Sequence, residues 1–390
     1  MKVQKSSNPC RFGDLEIISA MAVTGFLPGF LSVAAQYAIV FYLLFCRRTR
    51  KIVFSSKTAL WLIPLTPVAI IPPFFYQNYL GAVVGAGLVL LLFFAVYLLK
   101  TITVEIFERV CDICCAGSVF AAAVAVAERI VYVINPSLDE FKDMRCAGVF
   151  FNPNLYGTAV VFVILICLYK LISGRGHKRL LFICIGVNLI SMALCGSLLG
   201  IGELIIGALF IFIFNRNKIA VALFSVGSAA GIGAVCFYPR LLPRIFEASN
   251  SFNLRYRVWQ LSLILIKETP IFGRGFLAYM VESPKYVGAD LGFNVWVTTC
   301  AHSLLLDSLL CLGIVGTVCV IGFAAGLYAP VFKARLKKCD RAVTSLALAA
   351  TVGVLAHGIF DETITWPAVA VIFFFILAGS AAYLKEKINM

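Results

Sequence analysis

His302 stands where a long polar stretch ends and an apolar run begins, in Ala301-His302-Ser303. An imidazole changes charge near working pH, so at such a border it can serve as a general base or be an ordinary interfacial residue. Upstream, Leu254-Arg255-Tyr256-Arg257-Val258-Trp259 reads as helical through Ile266. Arg255 and Trp259 are then i,i+4 neighbours on one face, and Leu261, Leu265 and Ile266 suggest a helix lying along a membrane surface. Guanidinium forks suit phosphate oxygens, whether of a lipid head group or of a lipid-linked pyrophosphate. Seven Lys/Arg fall between Arg240 and Lys285, Arg274 among them. His357 and Asp361, four apart in the last short turn, can approach the same surface. Glu203, alone in an apolar run, is either functional or snorkelling towards a helix end. His177 lies among basic residues and reads as ordinary charge patterning.

These residues must be held by hydrophobic helices. Of 390 residues, 61% are hydrophobic and 13% charged, against about 25% charged in soluble domains. Apolar runs long enough to cross a bilayer recur along the whole chain. The fold class is therefore an all-α integral membrane protein, a single polytopic domain over 1–390. The net charge of +14 reflects basic residues gathered in cytoplasmic loops rather than nucleic-acid binding. The 14 cysteines lie mostly inside apolar segments; Cys111-x-x-Cys114-Cys115 has no second pair or partner histidine at zinc spacing, so they read as packing residues. Lys2, Lys5 and Arg11 precede an apolar stretch, Ile17 to Cys46, far too long for a signal peptide; it reads as a retained segment split near Pro28.

Twelve spans result, with both termini cytoplasmic. Basic clusters such as Arg47–Lys51, Arg175–Arg179 and Lys333–Lys338 fall inside, and short outer turns are nearly free of them. Glu105 and Arg109 are spaced to pair near the inner surface. Residues 128–153 form an outer loop of mixed charge (Glu128, Arg129, Asp139, Glu140, Lys142, Asp143, Arg145). Residues 238–301, between spans 9 and 10, form a long extracytoplasmic loop whose basic residues ask for a functional reason, because topology disfavours them there.

Three pieces, in order, resemble the O-antigen ligase and O-antigen polymerase family of bacterial surface-polysaccharide enzymes. Gly148-Val149-Phe150-Phe151-Asn152-Pro153-Asn154 is similar to the family's G-x-F-x-N-P-N. Arg255-x-x-x-Trp259 with Pro270-x-x-Gly273-x-Gly275 is similar to its R-x-x-x-W…P-x-x-G-x-G. His302-Ser303-x-x-Leu306…Leu312-Gly313-Ile314-x-Gly316 is similar to its H-N-x-x-L…L-G-x-x-G. The resemblance covers roughly residues 145–365. It implies a GT-C-like helical architecture and a metal-independent membrane glycosyltransferase without cofactors. The implied donor is an undecaprenyl-diphosphate-linked glycan and the acceptor a glycan, lipid or protein, at the outer face of the bacterial cytoplasmic membrane. It assigns pyrophosphate binding to Arg255 and acceptor activation to His302; Asn152, Asn154, Trp259, His357 and Asp361 count as supporting residues.

Two departures matter. Relatives commonly carry a Ser-Arg pair after the seventh span; here the turn reads Gly196-Ser197-Leu198, which leaves Arg257 or Arg274 as candidates for a second guanidinium. Ser303 replaces the usual Asn after the histidine. Two further readings stay open: a transporter or flippase of a lipid-linked or anionic substrate, and a catalytically silent family member. A transporter should carry polar groups within its spans and often inverted repeats, and neither is evident here.

Overall fold

A computed structural model describes residues 12–135, 145–238 and 248–389. Lys2, Lys5, Arg11, Asp139, Glu140, Lys142, Asp143 and Arg240, all named above, lie outside these residues. In chain order the helices are α1 (Asp14–Thr24), α2 (Gly29–Phe45), α3 (Arg47–Phe54), α4 (Leu62–Ile70), α5 (Pro72–Phe75), α6 (Tyr79–Thr101) and α7 (Val104–Ile134). There follow α8 (Pro153–Ile172), α9 (Lys178–Cys195), α10 (Leu198–Phe214), α11 (Lys218–Phe237), α12 (Ala248–Glu268), α13 (Ala278–Glu282), α14 (Leu304–Leu336), α15 (Arg341–His357) and α16 (Pro367–Asn389). No strand occurs among the described residues. Among the described residues, eight helical segments are long and apolar enough to cross a membrane, or nine if the bent pair α2–α3 counts as one; α10 and α15 are shorter apolar helices. Each of the twelve apolar stretches read from the sequence is helical, and Pro28 caps α2 where the first stretch was expected to divide.

Helices α8 and α16 form the centre of the bundle. Nearly every residue of α8 from Leu155 to Ile166 is buried, as is α16 from Val369 to Ala382. This all-round burial is what a helix hydrophobic on every face requires. At the other extreme α11 buries no residue.

Several helices outrun their apolar stretches. Residues 128–134, expected in a loop, are the last turns of α7. Glu128 is the reason: its Oε2 accepts from the backbone N–H of Ala147 (3.0 Å) and Gly148 (2.9 Å), and Tyr132 donates to its Oε1 (3.0 Å). The carboxylate is used by the incoming loop, so a charged residue does not end the helix. The expected Glu105–Arg109 pair is replaced by Glu108, which pairs with Arg175 (3.3 Å) and Lys170 (3.6 Å).

The helices alternate in direction, so charged groups sort by end. At one end lie Asp14–Arg48 (2.8 Å), Arg175–Asp340 (3.2 Å) and Lys387, which donates to the Lys338 carbonyl (2.9 Å). The opposite end carries the start of α8, the α9–α10 turn, α12, the start of α14 and the α15–α16 turn.

The glycine motifs have a structural cause. Helix α14 breaks at Gly313, which is non-helical with φ +61°. Its freed backbone pairs with residues 270–275. Arg274 and Gly275 donate to the carbonyls of Leu310 (2.9 Å) and Cys311 (2.8 Å), while Ile314 and Val315 donate to Pro270 (2.8 Å) and Ile271 (3.1 Å). Gly273, with φ +66°, lies so close that an added Cβ would stand 2.6 Å from the Cys311 carbonyl carbon and the Gly313 nitrogen. The clamp locks the segment after α12 onto α14, and with it the relative placement of Arg255 and His302. Gly313→Ala therefore lowers stability by about 3 kcal/mol or more, through strain at positive φ plus a steric clash. Thermal melting of the detergent-solubilised protein checks this against Gly186→Ala, where an added Cβ meets nothing.

Candidate functional site

Asp361 is the hub of the site. It lies in the turn between α15 and α16, 8% exposed, and four groups converge on it. His302 Nδ1 is 3.0 Å from Oδ1, Asn154 Nδ2 donates to Oδ2 (2.7 Å), the Glu362 N–H donates to Oδ1 (2.9 Å), and an Arg255 Nη lies 3.8 Å from Oδ2. Burial pushes the carboxyl up, but the His302 hydrogen bond and the charges of His302, His357 and Arg255 outweigh it and hold Asp361 well below the usual carboxylate range. The side chain is thus an ionised acceptor.

That fixes the tautomer of His302. A carboxylate can only accept, so Nδ1 carries a proton whether or not the ring is charged, and in the neutral ring Nε2 is the basic nitrogen. Nε2 lies 3.1 Å from the Thr298 hydroxyl, which can donate to it. The ring lies parallel to that of Trp296, with centroids 5.6 Å apart. His302 adopts φ +47°, a conformation costing of order 1–3 kcal/mol in a non-glycine residue. Three anchors hold it there: Ala301 N–H donates to Asp307 (2.9 Å), Trp259 Nε1 to the His302 carbonyl (3.4 Å), and Leu304 N–H to the Gly358 carbonyl (2.7 Å).

Local sequence places the other members. Asn152 caps α8 by accepting from the N–H groups of Asn154 and Leu155 (both 2.9 Å), with Pro153 in the first turn. The N-P-N motif is thus a helix start, which frees the Asn154 side chain for the site. Asn154 Oδ1 accepts from an Arg145 Nη (2.7 Å) and from Ser197 Oγ (3.2 Å). Ser197 in turn caps α10, accepting from Gly200 N–H (3.1 Å). On α12, Val258, Leu261 and Leu265 are buried, and the helix packs on α14 with Arg255 and Trp259 turned to the site.

Beside this network lies a cavity of about 250 Å³, lined by Arg145, Asn154, Gly196, Leu198, Arg255 and Phe360 among others. Among the described residues, its charged lining residues are the two arginines. Arg255 Nε is buried and makes no hydrogen bond.

Of the residues singled out in the sequence, Arg255, Trp259, His302, Asn154 and Asp361 come together, and Asn152 contributes through its cap. Arg257 and Arg274 do not. Two residues beyond Arg255, Arg257 is turned about 200° round α12, and it does not line the cavity. Arg274 is buried against Glu268 and Glu282 (2.9 Å to the latter) and lies over the Tyr76 ring at 4.9 Å; its charge is spent on the clamp. His357 points into the bundle, its Nδ1 2.8 Å from Glu203 Oε2, with the Thr158 hydroxyl donating to the same oxygen (3.1 Å). Glu203 is 1% exposed, so it does not snorkel. In the sequence Arg145 is one loop charge among several. Its one signal there is its place just before the G-V-F-F-N-P-N run.

Two groups have metal-ligand spacing. Cys115, Cys167 and Cys184 cluster between helices, away from the site, and Cys300, His302 and Asp361 bring their ligand atoms within 4.8 Å of one another. For the second group a hydrogen-bonded pair suits the surroundings better. Burial and the neighbouring Glu362, Asp307 and Asp361 push the Cys300 thiol well up, whereas a metal ligand needs the thiolate.

No curated protein matches the chain. Residues 155–321 match the O-antigen ligase family model. The match begins just after the cap of α8 and ends beyond the break in α14, so it includes Arg255, the glycine clamp and His302; Arg145 and Asp361 lie outside it. This match, on a multi-pass helical membrane scaffold, supports an O-antigen ligase- or polymerase-like family and a role in surface polysaccharide assembly.

Proposed function

We propose that the protein is a membrane glycosyltransferase of the ligase or polymerase type. It transfers glycan from an undecaprenyl-diphosphate carrier to a hydroxyl acceptor at the outer face of the bacterial cytoplasmic membrane. The observation that carries this reading is the His302–Asp361 pair set beside an arginine-lined cavity. The acceptor oxygen attacks the anomeric carbon as its proton passes to His302 Nε2, in the place the Thr298 hydroxyl takes here. The bond from that carbon to the diphosphate oxygen breaks, and the electron pair leaves with undecaprenyl diphosphate. Asp361 stabilises the imidazolium that forms, and Arg255 stabilises the charge developing on the leaving diphosphate. The activated donor supplies the driving force, so no nucleotide, metal or other cofactor enters any step.

The sorting of Arg48, Arg175 and Lys387 to the opposite end supports an outward-facing site by the positive-inside rule. The single extracytoplasmic catalytic segment, about 238–301, then acts with the turns before α8 and α16. A cysteine introduced at Val287, 61% exposed, reacts with an impermeant thiol reagent from outside the cell; reaction only after permeabilisation reverses the orientation. Deleting the gene leaves one surface glycan confined to its lipid carrier, either as single repeats (a polymerase) or as unattached full chains (a ligase). Unchanged surface glycan with an altered pool of carrier on the inner leaflet points instead to a flippase and contradicts the proposal.

A further inference from the structure

Arg255 alone is an incomplete anion site. Its guanidinium lies 3.8 Å from the ionised Asp361, which offsets much of its charge, while a lipid diphosphate brings about two negative charges. The turn Gly196-Ser197-Leu198 offers none, since position 198 is leucine. Across the cavity from α12, however, the loop before α8 delivers Arg145.

We infer, resting on the donor reading above, that Arg145 is the second arginine of the diphosphate site and reaches from a different element the space beside Leu198. Its position is built rather than incidental. Glu128 fixes the loop by accepting from the backbone of Ala147 and Gly148 (3.0 and 2.9 Å), and Cys146 N–H donates to the Leu194 carbonyl (3.0 Å). Arg145 Nε donates to the Cys195 carbonyl (2.8 Å), and one Nη donates to Asn154 Oδ1 (2.7 Å). The side chain runs along Gly196, where an added Cβ would stand 3.7 Å from Arg145 Cγ. Asn154 therefore links the two halves of the site: it accepts a hydrogen bond from Arg145 and donates one to Asp361, coupling donor side to acceptor side through one amide. Leu198 lines the same cavity, so a guanidinium placed there faces the space Arg145 now serves.

The test uses the full chain in lipid nanodiscs, with radiolabelled farnesyl diphosphate as a soluble isoprenyl diphosphate probe. Arg145→Ala and Arg255→Ala each weaken binding roughly tenfold or more, as expected for loss of a charged hydrogen-bonding partner. Leu198→Arg added to Arg145→Ala brings affinity back to within roughly threefold of the parent, because the charge and not the loop contact is what the ligand reads. Unchanged binding by Arg145→Ala, beside weakened binding by Arg255→Ala, overturns the inference and leaves the donor reading intact. Unchanged binding by both variants overturns the donor reading itself. Weakened binding that Leu198→Arg does not recover assigns Arg145 to holding the loop, and also overturns the inference.

Discussion

His302→Asn abolishes glycan transfer while the protein remains folded in the membrane. Asparagine is the variant of choice because it tolerates positive φ better than most residues and its amide can still donate to Asp361, so the strained backbone at φ +47° and the anchors to Asp307 and Trp259 persist. What it lacks is a basic nitrogen. Removing a positioned general base costs typically 10²–10⁴-fold in rate, and the larger figure is expected here because no other basic group lies within hydrogen-bond reach of Thr298 among the described residues. Transfer measured with purified protein, together with an unchanged melting profile, checks the result. Activity within about tenfold of the parent removes His302 from the acceptor step.

Asp361→Asn produces the second large effect, by a different route. The amide presents an N–H as readily as an oxygen, so Nδ1 is no longer obliged to carry the proton, and the imidazolium loses its counter-charge. A fall of at least about a hundredfold in turnover is expected. The same substitution lowers stability in a way that pH reveals. A carboxyl whose folded pKa is depressed contributes stability that is fully present above the unfolded value, about 3.9, and is lost only as pH falls through the folded value. Asp361 is held well below that range. The carboxylate is therefore already fully ionised at pH 5, and the melting temperature of Asp361→Asn lies below the parent's at pH 5 as it does at pH 7. A margin that closes on going from pH 7 to pH 5 contradicts the assignment.

Much of this arrangement was legible in the sequence because its signals are local. Apolar runs bounded by basic clusters give the helices, Asn152-Pro153 gives a helix start, and the four-residue step from Arg255 to Trp259 gives a shared face. The G-x-G and L-G-x-x-G pieces were visible only as patterns. Their meaning, a backbone clamp between residues 270–275 and the break in α14, needs two distant segments to meet. What the sequence concealed is who neutralises whom. Arg274 and Arg255 look alike as cations in one basic stretch, yet Glu268 and Glu282 absorb the first and leave the second at the site. Glu203 and His357 pair across 154 positions, beyond the reach of any periodicity. In the sequence Asp361 and His357 look alike as polar partners in one turn, but the turn reverses their fates: His357 is drawn into the bundle and Asp361 is left facing His302. Composition hides Arg145, one charge among several in a loop, and only the fold shows Glu128 fixing the backbone that carries it.

The most direct measurement is reconstitution. Purified protein in liposomes is supplied with an undecaprenyl-diphosphate-linked glycan and its acceptor, and released undecaprenyl diphosphate is counted against glycan joined to acceptor. The account predicts one carrier released per glycan transferred, with neither product formed by His302→Asn. Glycan crossing the bilayer with its diphosphate bond intact, equally well in parent and His302→Asn, would contradict it.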